Sequence, residues 1–194
     1  MKRLVRLSLW VVVLVAGLTL PALAQETRFE VVGGIHYPLL SQKYYADQGL
    51  GFHGKLGFRV SPKVSLFAVY ETQTTNSSIP NWPRGDVKVK TYGLNATMIL
   101  AGDPALQLFG ILGAGTGKID YTNPRAPEQY NGLPDSTDIK LWYELGAGVQ
   151  FGLAKHWALR IQFTGRQTEP KDASAVIGGT RFSIVPAVDF AYRF

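Results

Sequence analysis

Cysteine is absent from the 194-residue sequence. That excludes a disulfide framework, a thiolate metal site and a cysteine nucleophile. It also excludes a lipoprotein, whose lipid is carried by a cysteine just after the export signal. Charge is sparse, at 18% of residues, and histidine occurs three times. No apolar run beyond residue 24 approaches the roughly 18 residues of a membrane helix, so a helical membrane protein is excluded too. The one long apolar run is Leu7–Leu20, after the basic start Met1-Lys2-Arg3-Leu4-Val5-Arg6. It is shorter than the ~20 residues of a membrane span, and Pro21-Ala22-Leu23-Ala24 closes it with a small-x-small cleavage pattern. Residues 1–24 therefore read as a cleaved secretory signal peptide and 25–194 as one mature domain. Losing Lys2, Arg3 and Arg6 leaves 17 basic against 14 acidic residues, a net +3. No nucleic-acid partner is expected from so modest a charge.

What fills the mature chain is alternation. From Asp138 to Gly152 the odd positions read Ile139, Leu141, Tyr143, Leu145, Ala147, Val149 and Phe151. The even positions are polar or small apart from Trp142, among them Glu144, Gly146, Gly148 and Gln150. Successive strand side chains point to opposite faces, whereas a helix would scatter those apolar residues round its circumference. Gly49–Val60, Trp157–Gln167 and Arg181–Phe194 repeat the pattern, and Arg28–Pro38, Val64–Gln73 and Thr91–Leu100 carry weaker versions. In Ala105–Lys118 two apolar sets compete, Leu106, Leu108 and Leu112 against Phe109 and Ile111. Eight strands are expected, joined by alternating short and long connections. Short turns fall at residues 61–63, 101–104 and 153–156, and long loops at 39–47, 74–86, 119–137 and 168–179.

This is the arrangement of an all-β, eight-stranded antiparallel up-and-down transmembrane β-barrel, with short periplasmic turns and long extracellular loops. Strands of about 11 to 15 residues suit a tilted crossing and exceed the mode of about 5–6 in soluble sheets. The alternative is a soluble barrel with its apolar face inward. About ten aromatic rings would then have to fit an interior just wide enough for ordinary side chains. Aromatics also cluster near strand ends, as interfacial girdles do: Phe29, Tyr37, Phe58, Tyr70, Tyr92, Tyr143, Phe151, Trp157, Phe182, Tyr192 and Phe194.

The ending Val188-Asp189-Phe190-Ala191-Tyr192-Arg193-Phe194 resembles the C-terminal assembly signal of outer-membrane barrels. The terminal Tyr-Arg-Phe resembles in particular small barrels of the OmpA, OmpX and OmpW type. The resemblance implies that the barrel-assembly machinery reads Phe194 with Val188, Phe190 and Tyr192. It further implies a bacterial outer-membrane location, contact with outer-membrane lipids and lipopolysaccharide, and a monomer. An OmpA-like periplasmic domain is not expected, because the chain stops at the final strand.

With the apolar face outward, Glu30, His53, Lys55, Arg59, Glu71, Glu144, Arg160, Arg166, Asp189 and Arg193 all face the lumen. Charges in so narrow a space must pair or hold water, since an isolated buried charge is very costly. The turns predict His53 opposite Glu71 and Glu144 near Thr164 or Arg166. Glu30, Arg59 and Arg193 should meet at the periplasmic end. Such a network makes either a plug of salt bridges or a gated path. The inward glycines Gly49, Gly51, Gly57, Gly146 and Gly148 leave room for water.

Catalysis finds little support. Lipid A deacylases of this barrel class place Ser two residues after His, whereas His36, His53 and His156 are followed by Pro38, Lys55 and Ala158. Palmitoyltransferase barrels use surface His, Asp and Ser. His36 with Ser41, Ser77 or Ser78 imitates that set, but a charged lumen does not hold an acyl chain. The histidines lack metal-ligand spacing, so neither metal, cofactor nor catalytic residues are expected. Arg84-Gly85-Asp86 is an integrin-type tripeptide, a match too short to distinguish from turn chemistry. Lys88 and Lys90, at the upper rim, are placed to pair with lipopolysaccharide phosphates. The main expectation is a structural, surface-exposed envelope protein with a closed lumen. An OmpW-like narrow channel for a small, apolar solute is the alternative, and a surface adhesin a third.

Overall fold

The computed structural model describes residues 29–40, 49–76, 86–122, 136–171 and 181–194. Residues 1–28, with the proposed signal peptide, lie outside that set, as do Ser41, Ser77, Ser78, Arg84 and Gly85. Nine strand segments follow in order: β1 (Phe29–His36), β2 (Leu39–Leu40), β3 (Gly51–Ser61), β4 (Val64–Asn76), β5 (Asp86–Asp103), β6 (Leu106–Thr122), β7 (Ser136–Gly152), β8 (Trp157–Pro170) and β9 (Arg181–Arg193). Each pairs antiparallel with its neighbour, and β1 also pairs with β9, closing the sheet. β1 and β2 are one barrel strand. Their register on β9 runs unbroken through Tyr37-Pro38, and the Tyr37 amide donates to Pro186 O at 3.0 Å. The fold is a closed eight-stranded barrel.

The register sets its geometry. Passing from partner to partner through Glu30, Gly57, Phe67, Asn95, Gly113, Glu144, Arg166 and Ser183 returns to Leu40, ten residues beyond the start. With about 3.3 Å per residue and about 4.8 Å between strands, that stagger tilts the strands about 40° to the axis.

Three short turns hold one end. Ser61 Oγ accepts the Val64 amide at 3.1 Å, and Asp103 Oδ1 accepts the amides of Ala105 and Leu106 at 2.9 and 3.1 Å. These are local side-chain turns. Gly102 adopts φ 100°, a left-handed conformation that a residue with a Cβ enters only with strain.

The outer wall is apolar and bare. Leu94 is 71% and Leu145 70% exposed, with Phe52, Leu56, Leu112, Phe163, Phe182 and Phe190 also well exposed. Among the described residues, no charged side chain points outward between the upper tyrosines and the short turns. Water would not tolerate such a wall, whereas hydrocarbon requires it. Every girdle aromatic expected from the sequence lies on this face. At the short-turn end Tyr192 stacks edge-on with Trp157 and Phe194, at centroid separations of 4.8 and 5.0 Å.

Two details depart from simple alternation. β5 and β6 run beyond the expected Thr91 and Lys118, because Val87 and Val89 continue to pair with Tyr121 and Ile119. In β7 the register shifts between Ile139 and Leu141, so Lys140 and Leu141 are both exposed. Ile139 therefore points inward, 1% exposed, and not outward with Leu141 as the odd-numbered alternation implied. A β-bulge supplies the extra residue that moves the upper strand to the other parity. In β6, the ambiguous stretch, Phe109 and Ile111 turn inward and Leu106, Leu108 and Leu112 outward.

Candidate functional site: a cross-braced lumen

Inward side chains form three polar tiers. At the turn end Glu30 pairs with Arg160, and its Oε2 also receives Arg193 Nε at 3.2 Å. Both arginines donate to Gln150 Oε1 at 2.8 Å, and Gln150 Nε2 donates to Gln107 at 2.6 Å. The expected partnership of Glu30 with Arg193 is present, and Arg160 joins it. Arg59 is half-buried on β3 and has interactions of its own.

In the middle tier Asp189 receives two donors from β3. Lys55 Nζ lies 2.9 Å from Oδ2 and His53 Nε2 lies 2.7 Å from Oδ1. His53 is the register partner of Glu71, as the turn length required, yet its ring turns to Asp189. Its other nitrogen, Nδ1, lies 3.2 Å from His36 Nδ1.

The upper tier centres on Arg166. Its guanidinium meets Glu71 through two nitrogens, Nη1 at 2.5 Å from Oε2 and Nη2 at 2.9 Å from Oε1. It also donates to Glu144 Oε2 at 2.7 Å through Nη2. Thr91 Oγ1 donates to Glu71, while Thr164 Oγ1 and Asn95 Nδ2 donate to Glu144. The Trp142 ring lies 4.8 Å from the guanidinium carbon. Glu144 and Arg166 are register partners, the neighbours that the short turn implied.

Strand order gives these contacts their meaning. β4 and β8 stand four places apart in a ring of eight, directly opposite. The Arg166–Glu71 pair therefore spans the barrel's diameter. Arg160, lower on β8, also reaches across, its guanidinium carbon 5.7 Å from the Phe67 ring on β4 and equally far from Phe109 on β6.

The inward glycines are not water-filled gaps. A Cβ at Gly57 would collide with the Phe67 ring, one at Gly148 with Phe109 and one at Gly51 with His36. Trp142 likewise occupies the space beside Gly93 and Gly115. Small residues are the seats of large rings from neighbouring strands, the alternation by which a narrow barrel fills its interior. Above the upper tier lies an apolar layer of Val87, Ile119, Ile139 and Trp142, with Val89 packed against it. The sequence reading missed His36, Gln107, Asn95, Phe67 and Phe109 as lumenal partners. Their inward parity was available, but which ring fills which gap depends on neighbours far along the chain.

Outside, above Tyr92, Asp120 bridges Lys90 and Lys118 at 2.9 and 3.0 Å. The hydrogen bond to Asp120 holds Lys90 above its ordinary pKa, and those from both lysines hold Asp120 below its own. Lys140 pairs with Glu169 at 3.0 Å. Lys88 is exposed on the same face. His36 is buried in the lumen.

The model of the outer membrane protein β-barrel domain family matches residues 10–190. The chain belongs to that family. Solved structures agree on the fold. Neisserial surface protein A superposes with a TM-score of 0.64 at 12% identity, covering 87% of this chain and 100% of its own. The attachment invasion locus protein Ail of Yersinia pestis gives 0.55 at 16% identity, covering 88% and 100%. The outer membrane protein OprG of Pseudomonas aeruginosa gives 0.52 at 15%, covering 87% and 96%. No curated protein matches by sequence. At such identities the likeness establishes architecture alone, so this outer-membrane barrel must be read from its own lumen.

Proposed function

We propose that the protein is a structural, surface-exposed component of the bacterial outer membrane, non-catalytic, exported by residues 1–24 and monomeric, with a lumen closed to ions. The observation that carries this reading is the Arg166–Glu71 pair across the diameter. A charge pair removed from water needs tight geometry and further hydrogen bonds to hold its place, and here Glu144, Thr91 and Trp142 supply them. An ion crossing the lumen would have to part these partners and then pass Arg160 between its two phenyl rings.

The same reading assigns Lys88, Lys90 and Lys118 to lipopolysaccharide phosphates at the upper rim, where an ammonium acts as a point charge. It assigns Phe194, Tyr192, Phe190 and Val188 to recognition by the assembly machinery. Planar-bilayer recording of refolded residues 25–194 at neutral pH tests the central point. A folded, heat-modifiable barrel without conductance steps is expected. Reproducible steps would replace this function with the narrow-channel alternative.

A further inference from the structure

The middle tier contains a feature that a static plug does not require. His36 and His53 face each other through like atoms, Nδ1 to Nδ1 at 3.2 Å. One nitrogen of such a pair must donate and the other accept. His53 Nε2 is committed to the Asp189 carboxylate at 2.7 Å and carries a proton there. With both rings neutral, His36 Nδ1–H donates to His53 Nδ1. With one added proton His53 is an imidazolium, the bond reverses, and the latch survives. With two added protons both Nδ1 atoms carry hydrogen, the bond cannot exist, and two positive rings stand in contact.

The surroundings tolerate the first added proton and oppose the second. The upper and middle tiers contain three carboxylates, Glu71, Glu144 and Asp189, against two permanent cations, Lys55 and Arg166. One added proton balances them. Burial of the ring is the largest influence opposing a charge on His36, and His53, Arg166 and Lys55 oppose it too, while the Glu71 carboxylate favours it. Glu71 is the carboxylate that acts on His36, and Glu71 is also the far end of the Arg166 brace.

We infer that the His36–His53 pair is a proton-operated latch on the lumen, and that double protonation in acid diverts Glu71 from Arg166 and admits water to the braced tier, leaving Arg160 and the apolar upper layer as the constrictions of a narrow hydrated path. The inference rests on the closed-lumen reading at neutral pH.

Planar-bilayer recording of the mature chain separates the two readings. At about pH 7.5, above the ordinary histidine range, the wild type should be silent; at about pH 3.5, far enough below that range to charge a buried ring, it should show discrete steps. Open probability should rise at most about tenfold per pH unit for each proton taken up. His36→Phe, folded by the heat-modifiability criterion, should remain silent at both values, and His36→Gln serves if the phenyl variant does not fold. A wild type silent at both values overturns the latch and leaves the closed lumen standing. Steps already present at pH ~7.5 overturn both. A His36 variant that opens in acid like the wild type also overturns the latch. Histidine ¹⁵N NMR in micelles gives a second readout. One proton shared between the Nδ1 atoms near neutrality, lost in acid, is expected; two rings titrating independently would exclude the mechanism.

Discussion

At the scale of the residue, Arg166 dominates. It holds two carboxylates and rests against an indole, all out of water. Arg166→Met would leave Glu71 and Glu144 facing each other without a cation, which costs about 3–5 kcal/mol for a broken buried pair. The unfolding midpoint in detergent should fall accordingly. Adding Glu71→Gln and Glu144→Gln to the same chain should recover a large part of the loss, because the uncompensated charges are then gone. Failure of that recovery would mean that Arg166 acts through packing on Trp142 and not through charge. Charged residues at lumenal positions could be read from parity alone, but the partner of each could not. His53 lies opposite Glu71 in the ladder yet bonds Asp189, 136 residues away in the chain.

At the scale of the element, the β7 bulge makes a sharp distinction. Lys140 and Leu141 both face outward, so removing Lys140 leaves Ile139 and Trp142 on the inner side and Leu141 on the outer. The deletion should preserve a heat-modifiable barrel, losing only an exposed Lys140–Glu169 pair of the kind worth at most about 1 kcal/mol. Deleting Gly146 from the regular ladder should abolish folding, because a one-residue slip sends every lumenal side chain beyond it into lipid. Equal behaviour of the two deletions on a boiled-versus-unboiled gel would refute the bulge. The alternation in β7 was plain in the sequence, whereas the bulge was not. A bulge is created by its partner strands, here by register shifts on both β6 and β8.

At the scale of the whole molecule, the two sides of the wall differ enough to be told apart by light. Trp157 lies on the outer face at 50% exposure and Trp142 is wholly buried in the lumen. In single-tryptophan variants reconstituted into bilayers with brominated acyl chains, Trp157 fluorescence should be strongly quenched and Trp142 fluorescence nearly unaffected. Equal quenching would contradict the placement of Trp142, and no quenching of either would contradict the membrane orientation of the wall. Phe194, exposed beside Tyr192 at the barrel's lower edge, belongs to this scale too. Phe194→Ala should lower the yield assembled in cells while leaving refolding into detergent unchanged, since the ring contributes little packing of its own.

Eight tilted strands, the two faces of all but β6 and the upper part of β7, and the membrane as the solvent of the outer face were legible in the sequence alone. They follow from period-two alternation, and alternation is a local property that a strand carries wherever it lies. Whether the lumen is a passage or a plug is a question on which only the tertiary structure bears. That question turns on which residues meet across the diameter, and the stagger of closure sets those meetings. It brings Arg166 to Glu71, seats Phe67 and Phe109 in the gaps left by Gly57 and Gly148, and sets His36 against His53. Each of these pairs is a contact between strands, invisible to any window along the chain.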